Sequence, residues 1–106
     1  MRIKIYTFST LTLLCFSLFV GTSTADETTP TDLIHAQGCK GCHRLDDTGG
    51  TFGPALEGIG NRLTYEQLRQ KLINPKTSVP TSLMPNYRHM TKAELKLLTD
   101  YLAHLR

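Results

Sequence analysis

The sequence predicts an all-α domain of three or more short helices joined by two long loops. Three observations carry that expectation. Thr64-Tyr65-Glu66-Gln67 and Thr91-Lys92-Ala93-Glu94 both read as capping boxes, and apolar residues at helical spacing follow each. No stretch alternates apolar and polar residues as a half-buried strand does. Between the helical stretches lie residues 44–62, with five of the eight glycines, and residues 76–89, braced by Pro80 and Pro85. Loops of that length in a small domain need something to organise them.

The first helix is expected from Asp32 to Cys39, capped by Thr31 or Asp32, with Pro30 marking the break before it. Gly38 costs about 1 kcal/mol inside a helix, and close approach of another helix would account for it. Continuing the helix through Cys42 would put Cys39 and Cys42 on one face. The middle helix carries Tyr65, Leu68 and Leu72 at i, i+3 and i+7, and Pro75 stops it at Ile73 or Asn74. The last helix runs to about residue 104 with Leu95, Leu98, Leu102 and Leu105 on one stripe, widened by Leu97 and Tyr101. Met90 stands just before its cap and Leu95 at its fourth position, the spacing of a hydrophobic staple.

Length and charge narrow the function classes. The 106 residues hold one small domain at most. A basic head, Met1-Arg2-Ile3-Lys4, precedes an apolar run from Ile5 to Val20, then small polar residues with Ser23 and Ala25 at the cleavage-determining places. That is the pattern of a secretory signal peptide over residues 1–25. The apolar run falls short of the roughly 20 residues of a spanning helix, so a membrane tether arises only if the leader stays uncleaved. Cys15 lies inside this run and leaves with it. A polar leader, residues 26–30, then precedes the domain at 31–106. The mature chain keeps 81 residues and ten basic against nine acidic side chains, a net charge of +1. With no long basic run, nucleic acid is not an expected partner.

One motif carries chemistry. Cys39-Lys40-Gly41-Cys42-His43 has the spacing of a covalent haem attachment site. Two cysteines three apart can each reach one vinyl group of a porphyrin, and the histidine after them meets the iron. A redox dithiol would leave His43 unexplained, and no thioredoxin-like strand–helix pattern surrounds the pair. Zinc needs four ligands, and the mature chain has two cysteines. One covalent haem c would also staple a domain too small to bury much apolar surface. His43 is then the proximal ligand, and Met84, Met90, His35 and His89 are the candidates opposite it. His35 is one helical turn before Cys39, too near the proximal side. His89 is reachable but expected on the surface. Met90 has its staple role. Met84, in Ser82-Leu83-Met84-Pro85, has no periodic role and sits in a proline-braced loop, which makes it the preferred distal ligand.

Taken in order, the motif, Gly53-Pro54-Ala55-Leu56, the middle helix, Met84-Pro85 and the last helix with Tyr101-Leu102 resemble a class I, single-haem c-type cytochrome of the small bacterial type, over residues 31–106. The resemblance implies the cytochrome c fold, three to four short helices and long loops wrapped round one covalent haem. It implies that Pro54 accepts a hydrogen bond from His43, that Leu56 packs on the ring, and that Arg62 bonds a propionate. Gly38 and Tyr101 match the residues where first and last helices cross, and Tyr87 an aromatic beside the methionine loop. Ile34 stands where relatives often carry an aromatic, and no Trp is present to bond a propionate. The expected function is a periplasmic, monomeric one-electron carrier with His/Met axial ligation, serving redox partner proteins rather than acting as an enzyme. The alternative is a haem-based sensor or small peroxidase-like protein with an open distal site. Lys40, Arg44, Arg88 and Lys92 are candidates for a basic docking rim; an evenly solvated surface is the other reading.

Overall fold

The computed structural model describes Gly21 and residues 26–106, so the export leader expected at 1–25 lies outside the described residues apart from Gly21. Four helices follow in order: α1 Pro30–Ala36, α2 Ile59–Arg62, α3 Tyr65–Ile73 and α4 Lys92–His104. Single 3-10 turns stand at Cys39–Gly41 and Pro75–Thr77. Among the described residues there is no strand, only a bridge between Leu45 and Thr48. The architecture is all-α.

α3 and α4 begin and end as their sequences dictate. At each start the threonine hydroxyl accepts the backbone N–H three residues on, and Gln67 or Glu94 returns a bond to the cap N–H. Met90 and Leu95 are both buried in one core, as a staple requires. Leu98 and Leu102 continue the buried stripe of α4, while Leu105 is only half-buried beyond the helix end. Thr99 is fully buried between them, and its Oγ1 donates to Leu95 O at 2.6 Å, so no polar atom is stranded. α1 and α3 pack along α4, and α2 packs near its C-terminal end. Full burial of each leucine in this junction contributes about 1.5–3 kcal/mol.

Several expectations need correction. α1 starts earlier, because Thr29 caps it through Asp32 and Pro30 occupies its first turn instead of breaking the chain before it. It also stops earlier. Gly38 has φ +69° and follows the helix cap Gln37, so it ends α1 in the left-handed region, and nothing lies within 4 Å of a Cβ placed there. Gly38 therefore serves backbone conformation rather than a helix crossing. Cys39 opens a separate 3-10 turn and Cys42 caps its end, so the cysteines are not on a continued α-helix. Finally, Ile59–Arg62 forms α2 inside the stretch expected to be all loop.

Candidate functional site

The Cys39–Gly41 turn closes with His43 N donating to Cys39 O at 3.0 Å, which brings the imidazole back beside the cysteines. The chain then reverses. Leu45 and Thr48 exchange both backbone hydrogen bonds across Asp46 and Asp47, whose φ values of 53° and 59° make a type I′ turn. After it, residues 50–56 run alongside the motif. Gly50 N donates to Lys40 O (2.9 Å), Gly53 N to Cys42 O (2.7 Å) and Leu56 N to Arg44 O (2.8 Å). The loop is therefore a second rail bonded to the attachment turn.

This rail holds His43. Its Nδ1 lies 2.6 Å from Pro54 O. A carbonyl only accepts, so Nδ1 carries a proton, and in the neutral ring the lone pair that can ligate a metal is then on Nε2. Gly53 lies against the same ring: a Cβ there would stand 2.5 Å from His43 Cε1 and 2.8 Å from Nδ1. Only a residue without a side chain lets the rail approach that closely.

His43 lines a narrow, almost wholly apolar cleft with Cys39, Leu56, Leu72, Met84, Tyr87 and Leu98 among its walls. Cys39 is half-buried in it and Cys42 is exposed; both are free thiols. Burial pushes the Cys39 thiol up, against the opposing pull of the Tyr87 hydroxyl. Burial also pushes Tyr87 up to about 12, with the neighbouring Cys39 adding to it. Both groups are therefore neutral near pH 7, which suits an apolar site. Met84 lines the cleft, whereas Met90 is buried in the core outside it. His89 bonds Gln37 Oε1 at 2.8 Å, and His35 is exposed on α1. Among the described residues no three His, Cys, Asp or Glu side chains converge as a metal-binding group, so the four-ligand zinc arrangement is not formed.

The residues fit a haem. Two thiols precede a histidine whose Nδ1 is held by Pro54 O, a thioether lines the same cleft, and leucines supply walls for a flat apolar ring. The cleft is small, but residues 83–86 make no backbone–backbone bonds. Met84 N is bonded to Ser82 Oγ at 3.2 Å. A larger hollow of about 390 Å³ lies between α2, the start of α3 and the end of α4. Of the expected site residues it includes Arg62 alone, so chemistry rather than size locates the centre.

Arg62 is exposed at the end of α2, and its guanidinium donates to Ala55 O (2.6 Å) and Glu57 O (3.2 Å). Pro54 is exposed at the surface, and Leu56 is buried at 6 % exposure. Of the four cations considered for a docking rim, Lys40 bonds Thr48 Oγ1, Arg44 pairs with Asp47 at 3.4 Å, and Arg88 Nε donates to Ile73 O at 2.9 Å. Among the described residues, no helix is long and apolar enough to cross a membrane. A family model, Cytochrome c, matches residues 31–106. A search of curated proteins found no match.

Proposed function

The chain belongs to the cytochrome c family, and from that premise we propose that it is a periplasmic one-electron carrier whose haem c has His43 and Met84 as axial ligands. Members of the family carry electrons between redox partner proteins on a covalent haem c, here attached through Cys39 and Cys42. When bound, that group supplies a single-electron couple at its iron. The observation that carries the ligand assignment is His43 with Nδ1 committed to Pro54 O at 2.6 Å, in a cleft that Met84 also lines.

Each side chain has a separable task. Cys39 and Cys42 give up their thiols to two thioether bonds. His43 presents Nε2, made more basic by the bond from its Nδ1–H to Pro54. Met84 presents a soft, neutral thioether, which favours the ferrous state and raises the potential. Leu56, Leu72 and Leu98 keep water out, so little solvent reorganises with the charge. With His43 and Met84 both holding the group, no position would be left for a substrate, and the haem would supply electron transfer without bond-making. Residues 1–25, with the pattern of a secretory signal, support export to the periplasm, where the mature chain acts as a monomer. If the leader is retained, the same carrier is tethered to the membrane.

Carbon monoxide tests this reading against an open-site sensor or peroxidase-like protein. The reduced native protein should bind it slowly and weakly, and Met84→Ala should bind it rapidly. Rapid binding by the native protein would overturn the closed-site reading.

A further inference from the structure

We propose that Arg62 is a positioning residue for His43, acting by clamping the loop whose Pro54 carbonyl holds the imidazole. The proposal rests on His43 being an axial ligand. It assigns Arg62 a task distinct from bonding a propionate.

The guanidinium spans the loop. One terminal nitrogen donates to Ala55 O at 2.6 Å and the other to Glu57 O at 3.2 Å. Ala55 is the residue after Pro54, and Pro54 O takes the His43 Nδ1 proton at 2.6 Å. The other side of the same loop is bonded to the attachment turn through Leu56 N to Arg44 O at 2.8 Å. The peptide carrying the acceptor is thus gripped from two sides, and Arg62 is the side-chain grip.

Arg62 has a firm base from which to grip. Gly60 N, in the same turn of helix, donates to Leu105 O at 2.9 Å. A Cβ on Gly60 would collide with the carbonyl of Ala103, so α2 lies directly on the end of α4. Arg106 adds a bond to Asn61 Oδ1 at 3.3 Å. A route of bonded groups therefore joins the chain's C-terminal end to the imidazole. Only a planar fork reaches two carbonyls two residues apart; a lysine ammonium on a flexible stem holds one geometry poorly.

The test uses ¹⁵N-labelled holoprotein and reads exchange of the His43 Nδ1 proton by NMR in the ferrous state, with the reduction potential measured alongside. Arg62→Lys keeps the charge but loses the fork. It should speed that exchange about tenfold, the scale of one lost hydrogen bond, and raise the potential because a less basic imidazole favours ferric iron less. Arg62→Gln should speed the exchange as well. Gly60→Ala displaces α2 without altering a charge and should move exchange in the same direction. If Arg62 serves only as a charge beside a propionate, Lys leaves both readouts at wild-type values and Gln lowers the potential without changing exchange; that result overturns the clamp. His43 resonances without a hyperfine shift in the ferric wild-type protein would overturn the ligand reading, and the clamp with it. Shifted resonances with wild-type exchange in the folded variants overturn the clamp alone.

Discussion

Gly53→Ala probes how tightly the loop holds His43. Gly53 lies outside the left-handed region, so alanine adds no backbone strain and the effect is steric. The new Cβ would stand 2.5 Å from His43 Cε1, while ordinary contact begins at 3.4 Å, so ring or loop must yield by about 0.9 Å. Retreat of the loop is resisted by Gly53 N to Cys42 O at 2.7 Å. The ring therefore moves, and a shift of that size stretches the Nδ1 to Pro54 O bond from 2.6 Å to at most about 3.5 Å, weakening or breaking it. Losing a hydrogen bond of this kind costs about 0.5–1.5 kcal/mol. If about 1 kcal/mol of that favours the ferric state, the potential rises by about 40 mV. A redox titration with thermal unfolding measures both effects. Gly38→Ala is the control: φ +69° strains it by about 1–2 kcal/mol, yet no neighbour lies within 4 Å, so stability falls while the potential holds. A wild-type potential in Gly53→Ala, or a lowered one, would mean that the loop does not hold His43 in this way.

Two further outcomes follow from the sequence and the caps. The Thr91 backbone N–H and hydroxyl hold the Glu94 carboxyl below its ordinary value of 4.5. A folded value below the unfolded one gives stability that is present above pH 4.5 and lost as pH falls through the folded value. Glu94→Gln keeps the capping-box shape but not the charge, so its denaturation midpoint should fall less steeply below pH 4.5 than the wild type's; parallel curves would contradict the linkage. Mass spectrometry of the exported holoprotein should give an N-terminus at Asp26, and an intact Met1 would replace the periplasmic form with the tethered one.

How much could be read in advance depended on whether the forces were local. α3 and α4 were legible because Thr64–Gln67 and Thr91–Glu94 satisfy their own helix starts within four residues. α1 was misjudged at both ends for local reasons too. Thr29 and Asp32 form the same box round Pro30, and Gly38 reads equally as a crossing point or a left-handed stop. α2 could not be read from Gly58-Ile59-Gly60-Asn61-Arg62, whose glycines argue against a helix; Leu105, over forty residues on, supplies the bond that holds it. In the site, the spacing of Cys39, Cys42 and His43 was visible directly. Pro54 could be named only through the resemblance, and Met84, which lines the cleft, was preferred only by setting Met90 aside. The roles of Gly53 against the imidazole and of Arg62 on two carbonyls depend on the loop folding back along the motif, which no local pattern encodes. The signal available for Gly53 was its place directly before Pro54.

The central claim is a closed centre with His43 and Met84 at the iron. Its most direct test is the sulfur-to-iron charge-transfer band of the oxidised holoprotein in the wild type, Met84→Ala and Met90→Ala. With Met84 at the iron, the band should be present in the wild type and in Met90→Ala and lost in Met84→Ala. A band that survives Met84→Ala, or that disappears only in Met90→Ala, would contradict it.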